Sequence, residues 1–192
     1  DNDVMEIKGA RPFTHPGYTL VREQGTLILD DTIFNVEQAT PNSRNIIIMD
    51  DGTLIIRNGS ELRSNYAISL YLYDNATLRI EDSIVYSQID IVIGQSSSPD
   101  IFMEGAVIYG SIDAKSYTHS LQMDARNTTL SKGLEIGGTG HADITSVTIP
   151  SSQPKRVVEG SGATITEYYW LSVTAFDGND MPLSSATIDV YR

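Results

Sequence analysis

Apolar residues alternate with polar ones inside short segments of this chain, and the segments themselves recur. Aligning Leu54 with Leu78 and extending both ways gives a first apolar column: Leu27, Leu54, Leu78, Ile101, Leu121, Ala142 and Ala163. Its steps are 27, 24, 23, 20, 21 and 21 residues. Two places on stands a second column, Leu29, Ile56, Ile80, Met103, Met123, Ile144 and Ile165. The residues between the columns vary freely, from Ile28 and Arg79 to Phe102 and Asp143. Apolar–variable–apolar is the period-two pattern of a strand with one buried face.

A second apolar segment precedes each of these, at 46–49, 68–72, 89–93, 112–114, 134–136 and 157–158. Turn-forming residues separate the two, as in Asp50-Asp51-Gly52, Asp74-Asn75-Ala76 and Gly160-Ser161-Gly162. A weaker third segment follows the main one, as in Ile84-Val85-Tyr86 and Val107-Ile108-Tyr109. No stretch shows 3.6-residue periodicity. Short strands in variable steps, without helix, predict an all-β parallel solenoid whose turns stack at about 4.8 Å. A single turn cannot bury its own apolar side chains, so each offers the same inward positions as the turn beneath it.

The stretches LIIRNGS (54–60) and LRIEDSIVYS (78–87), preceded by turns such as YDNAT (73–77), resemble the right-handed parallel β-helix repeat family of surface proteins. Pectate lyases, polygalacturonases and phage tailspikes share that fold. The resemblance implies a right-handed coil of about six to seven turns across residues 25–166, led in by a cap over 1–24. It transfers no catalytic residues: Gly140-His141 is followed by Ala142, the Asp30-Asp31 and Asp50-Asp51 pairs stand alone, and no Arg-Ile-Lys occurs. A pectate-lyase-like site would add a basic residue to an acidic cluster; Lys115 and Arg126 are near in sequence, but nothing in the sequence specifies their geometry.

Residues 167–192 break the pattern. Leu171, Val173 and Ala175 alternate, Asp177-Gly178-Asn179-Asp180 forms a turn, and Ile188 and Val190 alternate again. The segment resembles the start of an Ig-like or carboxypeptidase-regulatory-like β-sandwich, of which two strands cannot close a core. It is expected to be a partial sandwich or a capping hairpin.

Charge narrows the partners. Twenty-five acidic against 13 basic side chains leave a net charge of −12. Nucleic-acid binders need a basic face to displace counterions, so nucleic acid is disfavoured as a partner. There is no cysteine, which removes disulfides, thiol nucleophiles and sulfur-ligated metals. No run approaches the ~18 apolar residues of a membrane span.

Stacking turns columns of sequence into ladders. Three places after the first column stand Asp30, Arg57, Glu81, Glu104 and Asp124. Arg57 is expected between Asp30 and Glu81, and Glu81, Glu104 and Asp124 are expected to form a carboxylate ladder near 5 Å spacing. Paired carboxylates at that distance can serve glycoside hydrolysis or hold calcium, although a solvated polar face has the same pattern. His15, His119 and His141 are too scattered to define a triad or a metal site. Tyr71, Tyr73, Tyr86 and Tyr109 are candidates for a sugar-stacking strip. Asn58, Asn75 and Asn127 each open an N-x-[ST] sequon, a candidate glycosylation site, and Asn75 lies in the clearest turn.

Together these features lead to the expectation of a non-enzymatic structural or adhesive module, with no cofactor. It would belong to an extracellular prokaryotic, archaeal included, surface protein or assembly, with glycans or further copies as partners in an oligomer or lattice. The alternative is a polysaccharide lyase or hydrolase, or a carbohydrate-binding module, built on the same coil.

Overall fold

A computed structural model of the protein describes residues 3–9, 12–114, 120–157 and 161–168. All elements among them are strands, and every strand pairing is parallel. The chain winds through three sheets in turn, giving an eight-stranded, a six-stranded and a seven-stranded wall of a solenoid of about 7 turns. Strands Val4–Lys8, Phe13–His15 and Thr19–Val21, in the stretch expected as a lead-in, already form the first turn. The strand Thr164–Tyr168 closes the eight-stranded sheet. The hairpin expected beyond it, together with Lys115, His119 and Val158, lies outside the described residues.

The core is the stacked interior. Leu54, Leu78 and Ile101 lie in register on adjacent strands, as do Ile56, Ile80 and Met103, and all six are at most 2% exposed. Facing them from the seven-stranded sheet are Ile48, Leu70, Leu72, Ile91 and Ile136, equally buried. Burying one such side chain contributes about 1.5–3 kcal/mol. A turn is stable because the next turn completes its burial.

The register departs from the sequence expectation at two turns. Met123, not Leu121, stands beside Ile101 and Ala142, and Ile165, not Ala163, stands beside Ala142. The rungs are therefore 22, 27, 24, 23, 22, 19 and 23 residues apart. A two-residue slip keeps the same faces inward, so alternation alone does not distinguish the registers. Leu121 and Ala163 instead occupy the buried corner just before the strand, where other turns carry Gly52, Ala76 and Gly140.

What sets the register is a corner that recurs after every described turn of the eight-stranded sheet. Gly9, Asp31, Asn58, Asp82, Gly105, Asn127 and Ser146 all have positive φ there, between 46° and 118°. Gly, Asn and Asp are the residues that adopt this left-handed conformation at least cost. The amides of Asp31, Asp82, Gly105 and Asn127 each donate to the carbonyl that ends the next strand, at 2.8–3.2 Å. Just beyond lies a buried small residue: Thr32, Ser60, Ser83, Ala106 or Thr128. Ser60, Ser83 and Thr128 return their hydroxyls to the carbonyls of Arg57, Glu81 and Arg126 at 2.7–2.8 Å. Buried backbone acceptors are thereby satisfied where the ladder bends.

Candidate functional site

The outer face of the eight-stranded sheet carries the candidate chemistry. Its first outward column includes Thr77, Asp100, Gln122 and His141; its central column runs Ile55, Arg79, Phe102, Asp124, Asp143. The third runs Asp30, Arg57, then Glu81 beside Glu104 and Glu104 beside Arg126. Asp124 therefore does not continue the Glu81–Glu104 ladder. Arg126 takes that place, and Asp124 sits one column over between Phe102 and Asp143. The corner at Asn127 forces this correction, because it fixes Arg126 as the last residue of its strand.

The charges on this face are largely spent on one another. Arg79 donates to Glu81 at 2.7 Å and Arg126 to Asp124 at 2.5 Å, each pair two residues apart on one strand. Both guanidiniums also lie over the ring of Phe102, at 5.0 and 5.8 Å from its centre. The hydrogen bonds to Asp124, together with its charge, hold the Arg126 guanidinium above its usual pKa. Arg57 does not bridge to Glu81 as expected; it turns to Asp30 at 2.8 Å and Glu6 at 3.3 Å.

Asp30 is the most enclosed carboxylate here, at 2% exposure. It accepts from Asn58 Nδ2 at 3.1 Å, Arg57 Nε at 2.9 Å and Lys8 Nζ at 3.3 Å. The Asn58 hydrogen bond, with those from Arg57 and Lys8, outweighs the opposing effect of desolvation and lowers its pKa from 3.8 to about 2. Nothing reactive is left exposed: this is an anchored corner group.

A shallow hollow remains around Phe102, lined also by Arg79, Gln122, Asp124, His141 and Asp143. Asp124 and Asp143 are in-register neighbours, so their backbones are about 4.8 Å apart. His141 Nε2 lies 3.1 Å from Asp143 Oδ1, and its Nδ1 meets the Thr164 hydroxyl. Phe102 and Asp143 share the variable column of the sequence pattern, but that pattern sets Gln122 between them; the shifted register puts Asp124 there instead and so completes the hollow. Among the described residues, no group of three or more His, Asp or Glu side chains is placed to hold a metal ion.

The tyrosines form two separate pairs rather than one strip. Tyr71 and Tyr73 stack with centres 5.6 Å apart beside the seven-stranded sheet. Tyr86 and Tyr109 meet at 6.1 Å at the ends of six-stranded-sheet strands, with Arg63 over Tyr86 at 4.8 Å. His15 lies at the other end of the coil, stacked on Phe13 and Phe34. The sequon asparagines Asn58, Asn75 and Asn127 are all exposed. Asn58 and Asn75 donate their side-chain amides to Asp30 and Asp51, at 3.1 and 3.3 Å.

Comparison of the chain with protein-family models, curated proteins and solved structures gives no significant match. No helix among the described residues is long and apolar enough to cross a membrane.

Proposed function

We propose that this chain is a non-enzymatic structural or adhesive module, a β-solenoid spacer of an extracellular prokaryotic surface protein or surface assembly. The observation that carries the reading is the mutual pairing of its outward charges. Arg57, Arg63, Arg79 and Arg126 each bind a carboxylate of the same wall, and the corner hydroxyls of Ser60, Ser83 and Thr128 are committed to the backbone. Such a surface stiffens the coil and commits these arginines to structural pairs. The acidic balance keeps the exterior solvated and repels like neighbours, and the missing cysteines leave rigidity to stacking and hydrogen bonds. Incubating the protein with panels of acidic and neutral polysaccharides tests the reading: no product release is expected, and turnover would overturn it.

The hollow around Phe102 favours a second reading, a polysaccharide-active or carbohydrate-binding face. Two carboxylates, an imidazole and an amide around Phe102, over whose ring Arg79 and Arg126 lie, are suited to sugar hydroxyls. Binding without turnover, abolished by Phe102→Ala, would mark a binding module. Turnover abolished by Asp124→Asn or Asp143→Asn would mark an enzyme.

A further inference from the structure

We infer that Asn58–Gly59 is a latent deamidation site, held closed by the corner that these two residues build. Glycine at position 59 has no Cβ to shield its amide nitrogen, and both residues are exposed. In an unconstrained chain the Gly59 nitrogen attacks Asn58 Cγ and the Cγ–Nδ2 bond breaks. Ammonia leaves with the proton released from the Gly59 amide, and a five-membered succinimide results. Water then opens the ring at either carbonyl, giving aspartate or isoaspartate. No reactant other than water is required.

Hydrogen bonds and backbone conformation prevent this in the folded corner. The Gly59 N–H donates to the Asp82 carbonyl of the next turn at 2.9 Å, which holds the attacking nitrogen away from its own side chain. Asn58 Nδ2, the leaving group, is bound to Asp30 Oδ1 at 3.1 Å. The backbone is fixed in the left-handed conformation, with φ of 57° and 79° at the two residues, and the buried Ser60 hydroxyl pins the exit to the carbonyls of Leu29 and Arg57. Asn127 occupies the same corner column but is followed by the buried, β-branched Thr128, which shields its amide. Within this corner column the reaction is therefore specific to one turn and requires that turn to open.

Once made, the change does not reverse. An aspartate at 58 loses the donor to Asp30 and sets a second carboxylate against a buried one. An isoaspartate also lengthens the backbone within a corner that is fixed by the turns on either side. A transient opening is thereby converted into a permanent weakness of that rung.

The test follows the full chain in mildly alkaline buffer at physiological temperature, folded and in urea, by peptide mapping for the gain of about one dalton at Asn58 and for isoaspartate. The slow chemistry samples the open fraction, so reaction in urea is expected to be at least about tenfold faster. Ser60→Ala, which loosens the corner, is expected to accelerate the folded protein alone. Gly59→Ala is expected to slow the reaction in urea, identifying the attacking nitrogen. Equal rates in folded and unfolded protein, or an unchanged folded rate in Ser60→Ala, would overturn the inference.

Discussion

Asn58 donates its side-chain amide to Oδ1 of Asp30, one turn of the solenoid away, across 3.1 Å. That bond, with Arg57 and Lys8, holds Asp30 ionised down to a pKa of about 2 against the 3.8 of a free aspartate. A carboxylate whose pKa is lower folded than unfolded stabilises the fold above its unfolded pKa, and this contribution is lost as pH falls through the folded value. Stability should therefore fall as pH drops from about 4 to about 2. Asn58→Ala should raise the Asp30 pKa and flatten this part of the profile. Urea midpoints measured across that window, for the wild type and the variant, check both statements. Parallel profiles would show that the Asn58 bond does not govern Asp30.

Leu78 is the centre of the stacked interior, flanked in register by Leu54 and Ile101 and wholly buried. Leu78→Ala should cost about 2–5 kcal/mol, as large-to-small changes in closed cores do. The cost should lie toward the upper end, because neighbouring turns are held by backbone ladders and cannot collapse into the cavity. Equilibrium denaturation measures it, and an unchanged midpoint would contradict the register.

The strands and the three-walled coil were legible because a buried face repeats every two residues and a stacked turn repeats its inward positions. The segments 68–72, 89–93, 112–114 and 134–136, read from apolar runs alone, are strands with those bounds. Register was not legible from alternation, since Leu121, Met123 and Ala125 allow two phases that bury the same face. The distinguishing signal was in the polar residues. Asp31-Thr32, Asp82-Ser83, Gly105-Ala106 and Asn127-Thr128 repeat a left-handed residue followed by a small buried one. Phasing on that pair places Arg126 beside Glu104 and brings Asp124 to Asp143. The candidate site was hidden by the same two-residue slip, because outward neighbours can be named only once register is known.

The three carboxylates Glu81, Glu104 and Asp124 do not line up, and two of them already hold arginines. Replacing them together by Gln, Gln and Asn should leave the melting temperature nearly unchanged, since exposed ion pairs of this kind contribute little. Millimolar calcium should likewise shift the melting temperature of the unaltered protein very little. Calorimetry with and without calcium checks this. A calcium-dependent rise that the triple change removes would restore the acidic face as a metal site.

Gly110 gives the sharpest test of how tightly the turns are stacked. It lies buried in the corner between Val107–Ile108 and Ile112–Ala114. A Cβ there would stand 1.6 Å from the carbonyl oxygen of Ile89 in the preceding turn. That obstacle is backbone and cannot rotate away. The corner is also pinned beside it: Ser111 donates its amide and hydroxyl to Asp90 at 2.8 and 2.6 Å, and Ile91 donates to the Ser111 carbonyl at 2.8 Å. Gly110→Ala must separate the two turns and break this set of bonds, so it should cost about 3 kcal/mol or more. Gly59→Ala is the matched control: its Cβ would meet nothing within 4 Å, and only the φ of 79° opposes it, a penalty of about 1–2 kcal/mol. Denaturation midpoints should rank Gly110→Ala well below Gly59→Ala, and hydrogen exchange should show faster opening at the Ile91 amide in the former. Equal midpoints would mean that the turns are not stacked as closely as the Ile89–Gly110 approach requires.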